Sequence, residues 1–339
     1  MTKRKKNSIW LILLGVVFIL IPLLTSNNFI ISTLTYCFVF AGFGVAWNLI
    51  GGYGAQISWC HSAFVAIGAY TGYLMYLKAG LSPFAAIPVG MLISFGVATV
   101  IGYGTFRLRG AFFSLATIAF AEIVKIVLLY FADFTGGARG ISIPYKGSSF
   151  LDLTFKNDIP FYYIMFAVMA AVLLITWLFE RSKTGRYLGA IKGDEDAAIS
   201  LGIKTFRTKL TAFQLSAVIC SGIGTIYAFF LTYIDPLNIC GIDLSIKIGI
   251  CAIIGGLGTL WGPVLGAFLI IILTQVTSEY LGAIGGASLM LYGLIMVLIV
   301  IFRPAGIISF FVKDTEGNDS VIGMIKKKIS SKKTKEAVQ

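Results

Sequence analysis

The sequence is short of the groups that chemistry needs. It has 339 residues, of which only 12% are charged, and a single histidine. Soluble proteins carry nearer 25% charge. One histidine, His61, cannot build a multi-histidine metal site. No Ser-His-acid set and no Walker-type phosphate loop occurs, so the chain is not expected to hydrolyse ATP itself or to act as an enzyme. The five cysteines (Cys37, Cys60, Cys220, Cys240 and Cys251) lack metal-type spacing and mostly fall in or beside apolar runs. They read as small packing residues rather than disulfides or ligands. No cofactor is expected.

What remains is apolar. Hydrophobic residues make up 58% of the chain, in repeated runs of about 20 residues, the length that crosses a bilayer. The fold class is therefore an all-α polytopic membrane protein with about ten transmembrane segments, eight to ten being compatible with the pattern. Segments are expected near 9–25, 29–50, 62–78, 84–106, 111–132, 160–180, 210–233, 244–257, 263–279 and 287–302. Residues 1–8 form a basic N-terminus, 9–303 the membrane domain and 304–339 a basic tail. The first apolar run follows four basic residues but has no small-residue cleavage site after it, so it reads as a retained span.

The net charge of +12 has a topological explanation. With the N-terminus in the cytoplasm, 21 of the 27 lysines and arginines fall on cytoplasmic segments, as the positive-inside rule requires. Both termini are then cytoplasmic. No soluble portion is large enough for a nucleic-acid-binding fold.

Glycine, at 38 residues, exceeds the roughly 7% norm. Gly68 and Gly72, and the series Gly258, Gly262 and Gly266, have the four-residue spacing of close helix packing in lipid. GGYG at 51–54 and GGLG at 255–258 form a weak internal echo. Paired interruptions of this kind mark central pathways in transporters.

Several places carry polar groups worth weighing. Asn48, Gln56, Ser58 and His61 cluster at a helix break, which reads equally as a pathway lining or a tight turn. Glu122 and Lys125, three apart on one span, read as an ion pair or, for Glu122, as a pathway residue. Lys247 and Glu279 are expected near span ends, with room to snorkel.

The longest polar stretch runs from Arg181 to Lys209. At its centre Asp194, Glu195, Asp196, Ala197, Ala198 and Gly202 read as a short helix with an acidic N-terminus and a glycine end. Asp196, Ala197 and Ala198 are placed in its first turn, with the two alanines leaving one face nearly bare.

That stretch resembles the coupling segment of ATP-binding-cassette importer permeases, Glu-Ala-Ala followed three residues later by Gly, with Asp196 in place of the Glu. GAQISWCHSAFVAIGAY, RLRGAFFSLATIAFAEI, TGGARGI, IIGGLGTLWGPVLGA and FRPAGI complete, in order, a resemblance to branched-chain amino acid importer permeases of the LivM type over roughly 30–308. Trp59-Cys60-His61 departs from the commoner Leu-Gly-His, and the coupling stretch lacks a Leu-Pro ending. The resemblance implies a bacterial plasma-membrane permease working with a second related permease, two cytoplasmic ATP-binding subunits and an extracytoplasmic substrate-binding protein. It implies a passage for branched-chain amino acids and an ATPase-gripped helix. Urea or a short amide is the alternative cargo. An ion-coupled carrier is the alternative class, for which only Glu122 offers an intramembrane carboxylate.

Overall fold

A computed structural model describes residues 15–281, apart from 16, 26, 109 and 146, together with 290, 293, 294, 297 and 306–310. The expected N-terminus, most of the tenth span and the basic tail apart from 306–310 lie outside the described residues.

Long helices follow the apolar runs closely. They are α1 (Asn28–Gly51), α2 (His61–Ala79), α3 (Pro83–Thr105) and α4 (Ala111–Tyr130). After a short α5 (Ala132–Thr135) come α6 (Ile159–Arg181), α7 (Lys183–Gly193), α8 (Glu195–Ser200) and α9 (Thr205–Leu231). The described chain closes with a short α10 (Pro236–Ile239), then α11 (Ile242–Gly255) and α12 (Gly262–Leu281). Among the described residues, seven helices are long and apolar enough to cross a membrane, α10 and α11 counting together as one. α2 is 19 residues long, and its histidine, serine and tyrosines keep it outside that set. The chain is an all-α, multi-pass membrane protein.

Helices α1 and α9 form the centre and α4 is the most peripheral: 72% of the apolar window is buried in the first two and 17% in α4. Small residues allow the central approach. A Cβ on Gly68 would come within 2.0 Å of the Ser221 carbonyl oxygen, and one on Gly266 within 2.0 Å of the Cys251 carbonyl oxygen. Gly68 and Gly266 thus lie at backbone-to-backbone contacts, where dispersion and packing supply the association energy in lipid; Gly72 faces the Thr225 and Phe229 side chains. Thr225 adds a hydrogen bond from its hydroxyl to the Gly68 carbonyl at 2.9 Å.

The basic groups gather at one end of the bundle. Tyr103 and Phe106, at the end of α3 beside Arg107, pack on Phe206 at the start of α9. At the other end, strands β1 (Ile141–Ser142) and β2 (Tyr233–Ile234) pair antiparallel. Lys78 lies 4.0 Å over the Phe134 ring there.

The polar stretch 181–209 is more regular than a loop. α6 ends at Arg181 and the Ser182 hydroxyl caps α7 by accepting from Gly185 N. α9 begins at Thr205, inside the polar stretch, so only 201–204 separate it from α8. Charged side chains at helix ends need no apolar environment, which is how a helix continues past the run that marks its span.

Candidate functional site

Two regions hold most of the residues singled out by sequence: a polar seam inside the bundle and the short helix α8 at its basic end.

The seam arises where two helices break. α1 stops at Gly51, and residues 52–60 turn back to run beside its last turns. Gln56 N donates to the Ile50 carbonyl at 3.0 Å, and Trp47 Nε1 donates to the Ser58 carbonyl at 2.7 Å. The returning segment also leans on α4, where Trp59 N donates to Thr117 Oγ1 at 3.0 Å. The second break lies between α10 and α11, at Cys240 and Gly241. The breaks meet: Ser62 N donates to Ser245 Oγ at 2.9 Å, and Ser62 Oγ donates to the Cys240 carbonyl at 3.4 Å. Unpaired backbone is costly at membrane depth, and serines satisfy these groups within the protein.

Asn48 is fully buried and joins the two glycine segments of the internal echo. Its Nδ2 donates to the Thr259 carbonyl and its Oδ1 accepts from Gly258 N, both at 2.9 Å. His61 is fully buried as well. Ser216 Oγ donates to the Ala46 carbonyl at 2.6 Å, so it accepts from His61 Nε2 at 2.8 Å. That fixes the proton on Nε2. The rings of Trp47, Phe64 and Phe213 surround the imidazole. Ser58 lies 3.3 Å from Cys60 Sγ, and Gln56 is half-buried at the turn. In this conformation Asn48, Ser58 and His61 are knitted into the packing.

The Trp59-Cys60-His61 departure has a physical counterpart. Trp59 packs on Trp47 with ring centroids 6.2 Å apart, against Gly249, whose missing Cβ leaves the space.

Glu122 flanks the seam from α4. The Lys125 ammonium lies 2.6 Å from its carboxylate, with Glu122 41% and Lys125 20% exposed. The next residue back, Ala121, accepts from Cys240 Sγ at 3.6 Å. Glu122 is therefore an ion-pair partner at the edge of the break.

At the basic end, Asp194 caps α8 by accepting from Ala197 N at 2.9 Å. The first turn is Glu195, Asp196 and Ala197, one residue earlier than the sequence pattern placed it. Gly202 ends the helix with a φ of +79°, the left-handed conformation glycine adopts freely. The alanines divide: Ala198 is 2% exposed inside the chain, whereas Ala197 faces outward. The outward surface also carries Ile199 and Leu201, the latter 81% exposed. Beneath it, Lys209 Nζ lies 2.7 Å from Glu195 Oε1, with Lys209 only 4% exposed. That ion pair binds α8 to the first turns of α9. Sequence reading named Glu195 but gave no sign that Lys209, fourteen residues on, was its partner.

Lys247 lies early in α11. Its ammonium lies 4.6 Å from the centre of the Phe40 ring, beside a cavity within the bundle. Glu279 is exposed. All five cysteines are buried with free thiols.

Comparison with known proteins places this architecture. The family profile described as "Branched-chain amino acid transport system / permease component" matches residues 29–300. The high-affinity branched-chain amino acid transport system permease protein LivM of Escherichia coli K12 is 29% identical, covering 89% of this chain and 75% of its own. The LivH permease protein of the same system and strain is 25% identical over 81% of this chain and 91% of its own. The BraD permease protein of Pseudomonas aeruginosa is 22% identical over 81% and 92%. No solved structure matches. These relatives are transport proteins, and the chain is likewise a transport subunit rather than an enzyme. With the family profile spanning most of a multi-pass helical bundle, the chain belongs to the branched-chain amino acid permease component family and is a permease of the LivM type.

Proposed function

We propose that the chain is one of two permease subunits of an ATP-binding-cassette importer for branched-chain amino acids in the bacterial plasma membrane. Two cytoplasmic ATP-binding subunits grip its basic end, and an extracytoplasmic binding protein delivers substrate to the other. Both termini and the α7–α8 segment face the cytoplasm, in keeping with the positive-inside rule.

The observation that carries this reading is the build of α8. A six-residue helix and its C-cap expose Ile199 and Leu201 in a largely charged region, yet the helix is tied by Glu195 to the almost buried Lys209. Apolar side chains exposed in water together mark a docking surface. A knob on a rigid tie can transmit a partner's displacement; a solvated loop cannot. The ion-coupled alternative loses support, because its candidate carboxylate, Glu122, is paired with Lys125.

Ala198 is too buried to probe docking cleanly, since enlarging it disturbs the chain's own packing. Ile199→Asp with Leu201→Asp tests the outward face. The double variant is expected to insert and fold normally, lose the ATP-binding subunits on co-purification, and lose substrate-stimulated ATP hydrolysis in proteoliposomes containing binding protein and leucine. Wild-type coupling in that variant would make the α8 knob a connector and remove the basis of the reading.

A further inference from the structure

The cavity beside Lys247 has no part in the seam or in α8. It has a volume of about 350 Å³ and lies between α1, α9, α11 and α12. It sits toward the bundle end away from the basic groups, since Tyr36 and Phe40 come early in α1, Lys247 early in α11 and Tyr227 one turn before the end of α9. Its walls pair opposite chemistries. Lys247 and Asp243 supply a cation and an anion one turn apart on α11, while Phe40 and Ile271 supply apolar surface.

The charges do not neutralise each other. Among the described residues Lys247 forms no ion pair, and its ammonium rests over the Phe40 ring. An ammonium without a counter-ion inside a membrane bundle is costly and is retained where it serves a pathway or a ligand. Residues four apart on a helix hold their side chains about 5–6 Å apart at Cβ, close enough for one small zwitterion to reach both. At about 350 Å³ the cavity lies at the small end of ligand sites, roughly 300–1,000 Å³, the scale of one amino acid rather than a peptide.

We propose that this cavity is an intramembrane resting site for a single zwitterionic α-amino acid with an aliphatic side chain. The substrate carboxylate meets Lys247, its ammonium turns toward Asp243, and its side chain lies against Phe40 and Ile271. The assignment rests on the importer reading and adds to it a binding step within the permease, after release from the binding protein.

The test uses the complete importer in nanodiscs with Gln275→Cys on the cavity wall. Modification of the introduced thiol by a small thiol reagent is followed against L-leucine concentration. Leucine is expected to protect that thiol, whereas 4-methylpentanoate and isoamylamine, each lacking one charge, protect at least about tenfold less well. Lys247→Gln is expected to raise the half-protecting leucine concentration about tenfold or more, the scale of one lost charged hydrogen bond. Lys247→Arg should restore it to within about threefold. Protection unchanged in Lys247→Gln would overturn the site. So would protection that follows the nanodisc lipid headgroup and ignores leucine, which would assign the cavity to lipid. A wild-type importer that does not transport leucine would instead defeat the underlying functional reading, so the two failures are distinct.

Discussion

Removing the Glu195 carboxylate should detach α8 without unfolding the bundle. Lys209 lies in the second turn of α9. It is 4% exposed and its ammonium is 2.7 Å from Glu195 Oε1. Stranding one member of a fully buried pair costs about 3–5 kcal/mol. Glu195 is 28% exposed, so water can replace part of the lost interaction. The scale of a hydrogen bond to a charged group, about 1.5–3 kcal/mol, is then the better guide. At about 1.4 kcal/mol per factor of ten, Glu195→Gln should raise the opening equilibrium of α8 roughly ten- to a hundredfold. Hydrogen exchange at the amides of 197–203 measures that opening directly, while the amides of α9 beyond Ala212 should keep their protection. Glu195→Gln combined with Lys209→Met removes the stranded charge and should recover most of the loss. If the single variant changes exchange by less than about twofold, or the double loses as much as the single, the tie is not what holds α8 in place.

Three further outcomes are expected. Glu122→Gln should lower the thermal stability of the purified protein more than Glu122→Gln with Lys125→Met, because only the single strands a charge in the bundle; equal losses would mean that the pair is not coupled. Gly68→Ala should destabilise the protein by about 1–3 kcal/mol through overpacking against the Ser221 carbonyl. Gly189→Ala, whose Cβ meets nothing within 4 Å, should be neutral or gain up to about 1 kcal/mol of helix stability; denaturation in detergent separates the two, and similar behaviour would discard the packing account. On a background without native cysteines, Ser148→Cys should react with an impermeant thiol reagent in intact cells and Gly189→Cys should not; the reverse pattern would invert the proposed orientation.

The spans were legible because each helix that enters lipid must state its length in apolar residues. Expected segments such as 84–106 and 160–180 agree within a residue or so with Pro83–Thr105 and Ile159–Arg181. Gly202 could be read as a helix end because left-handed backbone favours one residue type. The seam was less legible. Asn48 and His61 could be picked out as polar groups in apolar surroundings, but their partners Gly258 and Ser216 lie 210 and 155 residues away. Hydrogen bonds of that range depend on which helices pack together, and local periodicity carries no record of it. The division between Ala197 and Ala198 was illegible for a related reason: two alanines look alike until the neighbouring helix covers one of them. Lys247 could be picked out as a charge near the start of a span, but only the packed bundle reveals the Phe40 ring and the cavity beside it.

The packing also supplies a route between the two ends of the proposed importer. α9 is one continuous helix from Thr205 to Leu231. Lys209 near its start holds α8, and Ser216 two turns on holds both His61 of α2 and the Ala46 carbonyl of α1. His61 begins the helix that follows the returning segment, and Ser62 joins that helix to the second break through Ser245 and the Cys240 carbonyl. A continuous chain of side-chain contacts therefore connects α8, through α9, to both interrupted helices. Helix breaks are where movement costs least, because the α1 ladder ends with Gly52 N and Tyr53 N on the Asn48 carbonyl and the α10 ladder with Cys240 N on the Pro236 carbonyl, and neither continues into the next helix. The fully buried Asn48 bonds Gly258 N and the Thr259 carbonyl just past the end of α11, and so ties the last turn of α1 to the turn between α11 and α12.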